Sequence, residues 1–239
     1  MIINKQRKVI VYNVPRTGTF SLRTAARQAR QRANVNFDYL TEGHSNYMDI
    51  RHSIDLGEYV YGGLNDKNDL DTYEQYVFVR DPFDRAISGL NLLRRGRLHH
   101  NLLFAFYGHK FKHQGVRCFQ RDGDYDNFPQ WKKDAIEAIP MIAVFRTMKW
   151  WFKRGPFTMG HIGFIEGPVQ PLMFSDYPRE ARRVMGRLGI PGNINLPSEN
   201  SAKRIPENDY LSPTEELEIK DYFHEDYEYL DKKGIHFHK

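Results

Sequence analysis

Hydrophobic residues follow two rhythms along this chain, and the changes between them predict its elements. Residues 8–13, "KVIVYN", are an apolar, largely β-branched run with little alternation, the pattern of a strand covered on both faces. "TFSLRTAARQARQRAN" (19–34) shifts to helical spacing, with Leu22, Ala25, Ala26 and Ala29 on one face. Strand, tight turn and helix together open an α/β unit. "YEQYVFVRDP" (73–82) predicts a second buried strand that runs straight into the helix of "DPFDRAISGLNLLRR". Asp81 suits the N-cap of that helix, Pro82 its first position and Asp84 its first turn. Arg80 therefore sits at the carboxyl end of a strand, and Ser88 two turns into the next helix.

"MIAVF" (141–145) is a further strand candidate, and "HIGFIEG" (161–167) another with a less regular pattern. "YPREARRVMGRLGIPG" (177–192) predicts a helix ended by Gly189 and Pro191. "SPTEELEIKDYFHEDYEYL" (212–230) has the plainest helical pattern. Ser212 and Glu215 form a capping box around Pro213, and Ile219, Phe223 and Tyr227 line one face. Residues 97–135 are polar, aromatic and irregular, and read as an insertion or substrate-facing region. With no internal repeat and no low-complexity linker, the expectation is one α/β domain with a mostly parallel sheet.

Composition narrows this picture. The 239 residues suffice for one sizeable core, and 40% hydrophobic with 27% charged residues is the balance of a globular protein. A net charge of +5 and a pI of about 9.1 favour anionic ligands without naming one. Cys118 is the single cysteine, so neither an intrachain disulfide nor a Cys-rich metal site can form. "MIINKQRKVIVYNVP" lacks the long apolar run of a signal peptide, and no stretch approaches the ~18 apolar residues of a membrane span. A soluble, cytoplasmic protein is expected.

Candidate chemistry begins at "VPRTGTFSL" (14–22), directly after the first strand. In an open α/β sheet, ligands bind beyond the carboxyl ends of the strands. A helix start there offers N–H groups and a partial positive charge. Gly18 allows close backbone approach, Thr17, Thr19 and Ser21 carry hydroxyls, and Arg16 adds a planar cationic fork. The loop of nucleoside-triphosphate enzymes needs a second Gly and a Lys followed by Ser or Thr, which are absent here. In "VFVRDPFDRAIS", Arg80 and Ser88 can converge on a second phosphate.

These stretches carry a family resemblance. "VPRTGTFSL" resembles the 5′-phosphosulfate loop of sulfotransferases that use 3′-phosphoadenosine 5′-phosphosulfate (PAPS): Pro, Lys or Arg, Ser or Thr, Gly, then two Ser or Thr. "FVRDPFDRAIS" resembles their 3′-phosphate segment, and both occur in the right order, each after a strand. "EGHSNYMDI" (42–50) is similar to a segment of the heparan sulfate and uronyl 2-O-sulfotransferases among the Golgi-type carbohydrate sulfotransferases. The chain's end, from "SENSAKRIPENDY" onward, also resembles that group. The fold this implies is a P-loop-type three-layer α/β domain over 1–239, a mostly parallel central sheet flanked by helices.

Residue by residue, the resemblance implies that Arg16, Thr17, Gly18, Thr19 and Ser21 hold the 5′-phosphate and sulfonate. Arg80 and Ser88 hold the 3′-phosphate, and Lys203 and Arg204 close over the nucleotide. His44 is the matching catalytic base, with His52 and Glu42 as fallbacks. Three positions depart from the pattern. Arg16 stands where many members have Lys, Phe20 replaces a Ser or Thr, and Glu42 replaces a second His, which leaves the acceptor sugar open. The lack of a Golgi anchor and of disulfides points to a microbial or viral relative.

The implied reaction is sulfuryl transfer from PAPS to an acceptor hydroxyl. A neutral His takes the hydroxyl proton, and Arg16 with the loop N–H groups stabilises the leaving side. Arg supplies the cation, so no metal is required. Glu42, Arg94 and Arg95 are candidate acceptor contacts. "LLRRGRLHH" (92–100) suits an acidic saccharide but equally a solvated helix end. Two alternatives stay open: a P-loop kinase or phosphotransferase, and a basic nucleic-acid-binding module. The first would need a Walker Lys and a Mg²⁺ ligand after the loop, neither of which is visible; basic residues spread along the chain rather than run together place the second last, so no nucleic-acid partner is expected. The sequence does not fix the oligomeric state.

Overall fold

The apolar runs assemble into a five-stranded sheet in the order β3-β1-β2-β4-β5, seen in a computed structural model. The structure describes residues 1–14, 17–40, 47–56, 64, 66–91, 129–138, 140–154, 164–196 and 211–237. Strand β1 (Ile2–Asn4) folds back on β2 (Val9–Tyr12) as an antiparallel hairpin with Ile3 opposite Ile10. Lys8 closes the turn at φ 53°, its N–H donating to Lys5 O at 3.1 Å. Strand β3 (Tyr39–Leu40) pairs antiparallel with the outer edge of β1. Strand β4 (Glu74–Val79) lies parallel to β2, and β5 (Val169–Met173) parallel to β4.

The sheet is therefore mixed rather than mostly parallel. The four residues between β1 and β2 are too few for the crossover a parallel pair needs, so they can only make a hairpin. Pro171 is tolerated in β5 because this is an edge strand, paired on one side alone.

Helices cover both faces. Helix α1 (Thr19–Ala33) buries Leu22, Ala25, Ala26 and Ala29 against Val9, Val11, Tyr76 and Phe78. The opposite face carries Ile3, Ile10, Tyr12, Val77 and Val79. It is covered by Ile50 of α2 (Tyr47–Asp55), Leu70 at the end of α3 (Lys67–Leu70), and Phe164. Helix α4 (82–91) leaves the end of β4 and turns Phe83, Ala86, Ile87 and Leu90 into a third cluster.

Several sequence expectations are corrected here. "MIAVF" is not a strand: it opens helix α6 (Met141–Arg154), which follows helix α5 (Gln130–Glu137). Met141, Ile142, Val144 and Phe145 are buried and Ala143 is exposed, which is the spacing of a helix face. An apolar run of five residues does not by itself distinguish the two. Helix α5 also claims the end of the region read as irregular. Of the strand expected at 161–167, residues 164–167 are described and are not strand, and β5 begins at Val169, two residues past that segment.

Helix α7 (Tyr177–Leu188) matches the predicted segment, and Gly189 ends it at φ 79°. The helix expected over 212–230 is two, α8 (Pro213–Tyr222) and α9 (His224–Lys232), with Phe223 between them at φ −102° and ψ 17°. The Ser212–Glu215 capping box is present. The break turns α9 so that Leu230 reaches the sheet cluster while Phe223 stays with Ile219 in the third. No helix among the described residues is long and apolar enough to cross a membrane.

Candidate functional site

Strands β2 and β4 are neighbours and parallel, so the segments leaving their carboxyl ends emerge on one edge of the sheet. The first is the loop into α1. Gly18 is the N-cap of that helix, in the left-handed region at φ 79° and ψ −2°. Its carbonyl accepts from Ser21 N–H at 3.1 Å and from Leu22 N–H at 3.4 Å. Helix α1 runs 15 residues with no acidic side chain in its first turn, so no carboxylate of its own offsets its positive end.

The hydroxyls of this loop face inward. Thr17 is fully buried and donates to Val14 O at 2.9 Å. Thr19, 5% exposed, donates to the Asn13 amide oxygen, with Val14 O at 3.3 Å. In this arrangement the two protons hold the turn together, and the donors left to an anion are the N–H groups at the helix start. The Ser21 hydroxyl, also buried, lies against the phenol oxygen of Tyr177. Phe20 points outward, with the Arg23 guanidinium 5.4 Å from its ring centroid.

The second segment leaves β4. Arg80 follows Val79 directly, and its side chain is 13% exposed, with Nε 3.9 Å from an Asp84 carboxylate oxygen. Asp84 and Ser88, four residues apart, share a half-buried side of α4, away from its apolar face. Asp81 caps α4 as expected, accepting from Asp84 N–H at 3.0 Å.

A third segment, absent from the sequence reading as a site element, joins the other two. After β5 the chain makes a 3₁₀ turn (Phe174–Asp176) into α7. The Arg80 guanidinium lies 4.8 Å from the centroid of the Phe174 ring. Phe174 meets Tyr177 at 5.2 Å between centroids, and Tyr177 meets Phe78 at 5.0 Å. The Tyr177 hydroxyl donates to Gly18 O across 159 positions of sequence. A Cβ on Gly18 would stand 2.5 Å from the Tyr177 ring and 2.9 Å from that of Phe174. Burial pushes the Tyr177 phenol well above its ordinary pKa, so it stays a neutral donor. The local signal was an aromatic pair spaced i, i+3 just past a strand, unremarkable without its partners.

The C-terminal helix buttresses the second segment from behind. The Tyr227 hydroxyl accepts from Phe83 N–H at 3.2 Å and donates to Asp81 at 3.1 Å. Arg85 and Asp226, both nearly buried, pair at 2.7 Å. Burial and the Asp81 charge raise the Tyr227 pKa, which keeps that donor protonated.

Thr17, Gly18, Thr19, Ser21, Arg80 and Ser88 are thus placed on two adjoining elements. Arg16, Glu42, His44, Arg94, Arg95, Lys203 and Arg204 lie outside the described residues. His52 is exposed in the last turn of α2. Among the described residues, no three His, Cys, Asp or Glu side chains gather as metal ligands. No family model, no curated protein and no solved structure matches this chain.

Proposed function

We propose that this protein is a PAPS-dependent sulfotransferase acting on an acceptor hydroxyl, with carbohydrates as the acceptor class. One observation carries the reading beyond motif resemblance. The glycine loop and Arg80 leave adjacent parallel strands at the same sheet edge and touch a common aromatic pair. Two cationic or N–H-rich elements held side by side suit a ligand with two separate phosphates. The left-handed Gly18 and the start of α1, with no acidic side chain in its first turn, suit its 5′ end, and Arg80 with Ser88 its 3′ end.

The donor brings an activated sulfuryl group; the chain's work is positioning and charge stabilisation. The N–H groups of the α1 start and Arg16 face the oxygens that gain charge as the bridging bond breaks. Phe20, turned outward, leaves that task to the backbone. Arg80 and Ser88 hold the far phosphate and fix the nucleotide's direction. Lys203 and Arg204 close over it, and Glu42, Arg94 and Arg95 meet the acceptor. His44 accepts the acceptor's proton as its oxygen attacks in line, a task suited to a neutral imidazole.

A His44→Ala variant is the test. It is expected to bind 3′-phosphoadenosine 5′-phosphate as the wild type does while sulfuryl transfer falls by roughly 10²- to 10⁴-fold. Transfer retained near the wild-type rate would remove His44 as the base. Metal-dependent phosphoryl transfer from ATP by the wild type would replace the reading with a phosphotransferase.

A further inference from the structure

We propose that Phe174 and Tyr177 are positioning residues that set the geometry between two anion subsites, so that the protein selects nucleotides phosphorylated at both ends. This rests on the proposed function above and adds two residues that no motif marks.

Tyr177 acts through a peptide plane. Its hydroxyl donates to Gly18 O, and the Ser21 hydroxyl and Leu22 N–H lie against the same phenol oxygen. In a trans peptide the C=O and the following N–H point in opposite directions. Holding the Gly18 carbonyl toward Tyr177 therefore aims the Thr19 N–H away from it. That N–H is among the first donors of α1, which have no acceptor within the helix. The ring adds a steric hold, since it occupies the space a Cβ at position 18 would need.

Phe174 acts on a guanidinium plane. A ring face next to a guanidinium attracts its charge and limits its movement. The ring centroid lies 4.8 Å from the Arg80 guanidinium, and an Asp84 carboxylate oxygen lies 3.9 Å from its Nε. The ring and the carboxylate together restrain the Arg80 guanidinium. The two aromatic residues are three apart across a 3₁₀ turn, where side chains at that spacing eclipse, and their rings are in contact at 5.2 Å. The turn therefore fixes the N–H donors of the loop and the fork of Arg80 relative to each other.

The test titrates adenosine 3′,5′-bisphosphate, adenosine 3′-monophosphate and adenosine 5′-monophosphate into the full-length wild type, Phe174→Leu, Phe174→Tyr and Tyr177→Phe. Phe174→Leu is expected to weaken the bisphosphate and the 3′-monophosphate about three- to tenfold and to leave the 5′-monophosphate unchanged. Phe174→Tyr, which keeps the ring face, restores wild-type values. Tyr177→Phe is expected to weaken the bisphosphate and the 5′-monophosphate about two- to tenfold and to leave the 3′-monophosphate unchanged. Equal losses for all three ligands, the mark of a purely structural role, would overturn the proposal, as would no loss at all. A wild type that binds the bisphosphate no better than either monophosphate contradicts the proposed function itself.

Discussion

A methyl group at position 18 has nowhere to go. The backbone there is left-handed, which costs an L-residue roughly 1–2 kcal/mol, and the Tyr177 ring already fills the site. Gly18→Ala is therefore expected to destabilise the fold by about 2 kcal/mol or more, read from urea unfolding. In a Tyr177→Leu background the same change should cost less, because part of the penalty is the clash. Identical costs in both backgrounds would show that the ring does not constrain the loop. The single Gly between a strand and a helix was legible in the sequence as a turn suited to an anion. The second reason for it was not, because the tyrosine that requires it lies 159 positions away. The threonines' role was hidden although their partners are local: at the level of sequence a hydroxyl beside a turn looks outward-facing, whereas Thr17 and Thr19 bond inward to Val14 and Asn13.

Elements with strong end signals were the ones sequence described well. Helix α7 has Pro at its start and Gly189 at its close, and α8 has its capping box. Strand β5 was missed because "VQPLM" contains Pro, which a sheet tolerates on an edge strand. Helix α6 was misread as a strand because its first five residues are apolar and its helical face emerges only with burial. The break at Phe223 follows from tertiary contacts, among them the Arg85–Asp226 pair that ties α9 to α4. Arg85→Met alone should cost about 3–5 kcal/mol, since it strands a buried carboxylate, while Arg85→Met with Asp226→Leu should recover most of that loss. Denaturant midpoints of the two variants check this. A single variant as stable as the wild type would mean that the pair does not anchor α9.

At the scale of the whole molecule, the sheet places chemistry by adjacency. Strands β2 and β4 pair residues 65 positions apart, Val9 beside Glu74 and Val11 beside Tyr76 in one parallel register. Their carboxyl ends bring two separate motifs to one edge, and the turn after β5 joins them. Sequence order alone indicated an α/β domain with helices on both faces. The antiparallel half of the sheet was not legible, because β1 and β3 span three and two residues and carry no periodicity of their own. The two segments of the candidate site were legible as motifs and their bracing was not, since Phe174, Tyr177 and Tyr227 make contacts that only the fold creates. The central claim is that this edge binds a nucleotide with phosphates at both ends. Calorimetric titration of the wild type with 3′-phosphoadenosine 5′-phosphate, ADP and ATP tests it most directly. The account predicts a clear preference for the 3′-phosphorylated nucleotide; equal or tighter binding of ADP or ATP would contradict it.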